Sequence, residues 1–176
     1  MARQAQDDNE IAWALVNLGT AAMTQGNYDQ SGMFLEESLA RYKEIQAHEG
    51  VVLLLSALGD LALIRGDYEQ TVSRYGEALI LQREGGNGRG IAEFLEKIGN
   101  AASTRKQPKT AAILLGAAQA FRESSSATHY PFQLVEYERF LEVLRSQLDE
   151  SIFASLCTEG RAMTLDEAVG YALDGS

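Results

Sequence analysis

At 176 residues, 45% of them hydrophobic, the chain is long enough to bury a continuous core without disulfides or metals, and general disorder is excluded. It carries 15 Lys and Arg against 25 Asp and Glu, a net charge of −10, so its surface repels phosphates and disfavours direct binding of nucleic acid or anionic membrane. The single cysteine, Cys157, excludes an internal disulfide and a cysteine-based zinc site, as suits a reducing compartment.

Met1 to Glu10 is polar and acidic, unlike a signal peptide, and runs such as Val51 to Leu55 are far too short to span a bilayer. A soluble cytoplasmic chain is expected. From about Glu10 to Gln25, Ile11, Leu15, Leu18 and Ala22 fall at helical spacing, with Asp8 or Asn9 available as a cap. Gly26-Asn27 breaks that helix. Tyr28 opens a second one to about Gln46, with Ser31, Leu35, Ser38 and Leu39 inward and Glu36, Glu37 and Arg41 facing water.

The next pair runs from about Val51 to Arg65 and, after Gly66-Asp67, from Tyr68 to Arg83, with Leu55, Leu58, Ala62, Tyr75, Ala78 and Leu79 in the core. Gly85 to Gly90 reads as a flexible connector. Its outer glycines have the spacing of a phosphate-binding loop, but Ile91-Ala92 stands where that motif needs Lys and Ser or Thr. A third pair spans about Gly90 to Lys106 and Pro108 to Ser124, with Leu95, Ile98, Ala102, Leu115, Ala118 and Phe121 inward. Pro108 suits the first position of a helix. Three further helices are expected, at about Pro131 to Gln147, Glu150 to Glu159 and Leu165 to Leu173. Thr164 and Glu167 form a capping box before the last.

Leu18-Gly19, Leu58-Gly59 and Ile98-Gly99 recur at an interval of 40 residues, and Gly26, Gly66 and Lys106 keep the same step. A strict period marks a repeat protein. Glycine in mid-helix costs about 1 kcal/mol relative to alanine, so its return at 19, 59 and 99 points to close helix contact. The small residues Ser31, Thr71 and Ala111 would permit that approach. The chain divides into an extension (1–9), repeats over 10–46, 50–84 and 90–124, and a helical cap over 131–173.

These residues resemble the tetratricopeptide repeat: a Leu-Gly pair, Gly-Asn-Tyr or Gly-Asp-Tyr at the turn, small Ala22, Ala62 and Ala102, and small Ser38, Ala78 and Ala118. The resemblance covers residues 10 to 124, with a longer period than the usual one of about 34 residues. It implies an all-α, right-handed α-α superhelix with C-terminal capping helices, acting as a protein-interaction or signal-sensing scaffold. No catalysis, cofactor or metal is expected. By count from the Leu-Gly pairs, the family's concave contact positions fall on Trp13, Val16, Asn17 and Thr20; on Leu53, Ser56, Ala57 and Asp60; and on Glu93, Glu96, Lys97 and Asn100. A peptide, a helix or another copy of the chain, as in a homodimer, would lie there. A ligand-free spacer or dimerisation element is the alternative. Of the family's carboxylate clamp only Lys97 is present, so recognition of a partner's terminal carboxylate is not expected.

Leu114 to Glu123 together with Glu159 to Ala168 resemble the end of the helical-repeat region in large bacterial signalling ATPases that regulate transcription. The nucleotide-binding loop and basic recognition helix of that family have no counterpart in this sequence. Trp13 is the foremost interface candidate. His48 and His129 read as residues of links, and Cys157 as buried filler. Glu36-Glu37 and Asp149-Glu150 are adjacent in sequence and share no helix face, so they form no catalytic pair.

Overall fold

The computed structural model describes residues 2–174, and among these every regular element is an α-helix. They are α1 (Ala2–Thr24), α2 (Tyr28–Glu44), α3 (His48–Arg65), α4 (Tyr68–Glu84), α5 (Gly88–Thr104), α6 (Pro108–Ser124), α7 (Pro131–Gln147), α8 (Glu150–Arg161) and α9 (Leu165–Asp174). By their contacts the residues form two units, one up to Ala78 and one from Leu79, with the division inside α4.

The turns are set by a shorter interval than the repeat. Left-handed residues occur at Gly26, Gln46, Gly66, Gly86, Lys106 and Ser126, 20 residues apart, with φ between 52° and 77°. After each, the next backbone N–H donates to the carbonyl five residues earlier at 2.9–3.0 Å: Asn27 to Ala22, Ala47 to Tyr42, Asp67 to Ala62, Asn87 to Gln82, Gln107 to Ala102 and Ala127 to Arg122. This Schellman closure satisfies carbonyls left over at a helix end; the first five turns take two or three residues, whereas six separate α6 from α7. Glycine supplies the left-handed residue at three of these turns, and Gln46, Lys106 and Ser126 adopt it against their intrinsic preference.

Several expected boundaries move. α1 begins at Ala2, so Asp8 and Asn9 lie inside it and cap nothing. α3 takes in His48, which is therefore not in a link. α5 takes in Gly88 to Gly90, because the Asn87 side chain caps it by accepting the Gly90 N–H at 3.2 Å; the connector shrinks to Gly85-Gly86-Asn87. The inward stripe of α1 also rotates. Ala12, Leu15, Val16, Gly19 and Ala22 are buried, whereas Ile11 and Leu18 are 44% and 51% exposed. Small residues win that face because α2 comes close. The Ser38 hydroxyl donates to the Ala12 carbonyl at 2.8 Å, and a methyl on Gly19 would meet the Leu35 side chain at 2.8 Å.

In the first unit Leu35, Leu54, Leu55, Leu58, Tyr75 and Ala78 are buried, and the Tyr75 ring fills the place of a missing Gly59 side chain. In the second, α6 is buried along Ala111 to Ala118, packed by α5 and α8. Gly116 and Gly160 make the α6–α8 crossing possible: a methyl on Gly160 would collide with the Ile113 carbonyl, and one on Gly116 with that of Cys157. Phe140, Leu144 and Phe153 complete that core, while Phe121, expected inside, is only half-buried. α9 starts on its expected capping box, with the Thr164 N–H donating to Glu167 at 2.8 Å and the Glu167 N–H to the Thr164 hydroxyl at 3.3 Å.

Candidate protein-docking surface

α1 and α3 carry the first two rows of expected contact residues. On α1, Trp13 is 55% exposed, Asn17 and Thr20 are exposed, and the Thr20 hydroxyl donates back to the Val16 carbonyl at 2.9 Å. Val16 itself belongs to the buried stripe at 8% exposure, so its side chain is core, in the sector that close approach to α2 reserves for it. On α3, Leu53 is 45% exposed, and Ser56, Ala57 and Asp60 are half-buried. Asp60 accepts the Tyr75 hydroxyl at 2.5 Å, so its carboxylate also ties α3 to α4.

The row on α5 meets other protein. Glu93, Glu96, Lys97 and Asn100 line a small cavity of about 70 Å³ with His129, Gln133, Glu136, Tyr137 and Phe140 on the opposite side. At its inner end is a buried ionic cluster. Arg122 grips Glu96 with two hydrogen bonds of 3.2 and 2.9 Å, and His129 Nε2 lies 3.2 and 3.1 Å from the same two oxygens. The His129 ring rests against that of Tyr137 with centroids 4.2 Å apart, and Gln119 donates to the Tyr137 hydroxyl at 3.1 Å. Burial pushes the Tyr137 hydroxyl above its usual range, partly offset by the Gln119 bond. Glu96 is thus committed to holding its own unit together. His129 lies in a link as expected, but it has a partner that sequence spacing does not reveal. Nothing in the residue pattern signalled Arg122, which lies 26 positions from Glu96.

A cavity of about 600 Å³ in the first unit opens among α2, α3 and α4, outside the expected rows. Leu58, Leu61 and Met33 give it apolar walls, and the pairs Arg65–Asp29 and Arg74–Glu36 lie along it at 2.7 and 2.6 Å. Cys157 is buried, and burial raises its thiol pKa, which makes it unreactive filler in the α6–α8 layer. Among the described residues no cluster of His, Cys, Asp or Glu could hold a metal ion, and no helix is long and apolar enough to cross a membrane.

The antiparallel helix pairs and their periodic turns define an all-α helical-repeat protein of tetratricopeptide-like type. Residues 10–79 match the tetratricopeptide repeat family model, which covers the first two helix pairs and supports the same class. No curated protein matches the chain. Tetratricopeptide repeats generally mediate protein–protein interaction and are typically non-catalytic scaffolds.

Proposed function

We propose that this chain is a protein-interaction module and that its docking surface is the face of α1 and α3 marked by Trp13 and Leu53. The observation that carries this reading is the half-exposed indole of Trp13, the only tryptophan in the chain. Burying its exposed part removes roughly 100–140 Å² from water, about 3 kcal/mol of driving force before the cost of association. Asn17 and Thr20 on the same helix face supply polar contacts that fix register. A partner polypeptide, rather than a small ligand, suits an anchor on an open helix surface. On α5 the corresponding residues line a narrow cleft against α7, with Asn100 exposed and the other three half-buried, so the docking surface is centred on the first two rows, where the apolar anchors stand.

We also place the module in a larger signalling regulator, where occupancy of this face would alter contacts with a neighbouring catalytic or DNA-binding module. The support is the resemblance carried by the Leu114–Glu123 and Glu159–Ala168 stretches, whose glycines meet at the α6–α8 crossing. The test is quantitative capture of interacting proteins by wild-type, Trp13→Ala and Leu53→Ala chains, with circular dichroism and light scattering on each. At least tenfold weaker capture at unchanged helicity supports the docking face. Unchanged capture with altered oligomer size overturns it in favour of a dimerisation element.

A further inference from the structure

The charge around Trp13 and Leu53 narrows the class of partner. Residues 4–40 contain no Lys or Arg, nor do residues 44–64, and these are the stretches in which both anchors lie. Four basic side chains of the first unit are already neutralised within it: Arg41 by Asp8 and Glu37, Lys43 by Glu77, Arg65 by Asp29, and Arg74 by Glu36 and Glu77. Glu10 and Glu49 are exposed and are not among the groups paired in this way. Glu10 precedes Trp13 by three residues and Glu49 precedes Leu53 by four, spacings that put each carboxylate on its anchor's side of the helix. Each apolar anchor therefore has an acidic neighbour one turn away. α5 differs, since Arg89 and Lys97 accompany Glu93 and Glu96 there.

We infer that the occupant of the α1 and α3 face is a basic amphipathic polypeptide segment, with apolar anchors that cover Trp13 and Leu53 and Lys or Arg residues that meet Glu10 and Glu49. This rests on the docking reading above and adds the partner's charge to it. A second copy docked through this same face is the wrong occupant, because two faces of this sign repel. Opposite charge at the rim of an apolar contact speeds encounter and excludes acidic competitors, and the apolar anchors set how long the complex lasts.

Trp13 is its own reporter, because no other tryptophan contributes to emission. The full chain is titrated with a synthetic Leu/Lys amphipathic helical peptide and with a Leu/Glu peptide of equal length and apolar content. Trp13 fluorescence and the anisotropy of the labelled peptide are read in parallel. The expected result is a blue shift of Trp13 with the Leu/Lys peptide alone, with affinity falling about tenfold between 50 and 500 mM salt. Glu10→Gln combined with Glu49→Gln lowers affinity about three- to tenfold at unchanged helicity. Equal binding of both peptides, each shifting Trp13, overturns the charge inference and leaves the docking face standing. No Trp13 response to either peptide overturns both. Anisotropy-detected binding of the Leu/Lys peptide that survives Trp13→Ala and leaves emission unchanged places it elsewhere on the acidic surface, and also overturns the inference.

Discussion

Lys106 and Gly66 occupy equivalent turns with opposite chemistry, and exchanging their character tests the turn account from both sides. Lys106 has φ of 60° and Gly66 of 76°, each in the left-handed region. An L-residue there costs about 1–2 kcal/mol, whereas glycine costs about 0.5–1 kcal/mol in chain entropy on folding. The difference is about 0.5–1 kcal/mol in favour of glycine. Lys106 is exposed, so Lys106→Gly is expected to stabilise by that amount, and Gly66→Ala to destabilise by a similar amount. No steric term interferes at Gly66, since nothing lies within 4 Å of where a methyl would stand. For a chain of this size the shifts amount to about 1–4 °C in Tm, upward for the first and downward for the second. Because the substitutions fall in different units, each is read by urea titration with thermal melting as a cross-check. A destabilising Lys106→Gly, or a neutral Gly66→Ala, would refute the view that left-handed backbone energy sets these turns.

Gly160→Ala is expected to lose about 3 kcal/mol, because the added methyl would collide with the Ile113 backbone, which cannot rotate away; reduced helicity and a lower melting temperature would show it. Arg122→Met alone should cost about 3 kcal/mol by leaving Glu96 buried with only His129 beside it, and adding Glu96→Leu should restore most of that loss, as a double-mutant denaturation cycle would measure. At alkaline pH the unfolded chain releases the Cys157 and Tyr137 protons before the folded chain does, because burial raises both pKa values in the fold. Their contribution is complete below about pH 9 and declines as pH rises through their folded pKa values, so stability should fall above about pH 9. Cys157→Ala should make that fall shallower.

The repeat was legible because it is written in residues with strong backbone consequences. Glycines at 19, 59 and 99 and at 26 and 66 mark close packing and turns whatever surrounds them, and Pro108 and Pro131 fix the starts of α6 and α7. The turns at Gln46 and Ser126 carry no such mark. Those residues are held left-handed by the hydrogen bonds that close around them, so the 20-residue interval emerges only from the fold. The stripe on α1 was misread for a related reason. Ile11 and Leu18 are large aliphatic residues at helical spacing with Leu15, but the side that packs is chosen by the close approach of α2, which keeps Leu15 and favours Ala12, Val16 and Gly19 beside it. The Glu96 cluster was illegible because its members are brought together by tertiary packing across three separate segments.

The contrast between α5 and the first two rows yields a prediction that decides where a partner sits. Glu93, Lys97 and Asn100 stand at register positions equivalent to Trp13, Asn17 and Thr20, yet they face Gln133, Glu136 and Tyr137 across a cavity of about 70 Å³. The cleft is narrow and already walled by protein on both sides. Lys97 is half-buried, and for a partner to enclose it α7 would have to move away and expose its own Phe140 and Leu144, at a cost of several kcal/mol of apolar burial. The ionic cluster opposes the same movement, because His129 leads into α7 and is bonded to Glu96. Lys97→Ala should therefore change partner affinity by no more than about twofold, while Trp13→Ala weakens it at least tenfold, as calorimetric titration of a captured partner would measure. The reverse ranking, accompanied by faster amide exchange in α7 when partner is bound, would refute this placement and make α7 a movable cover over the α5 row.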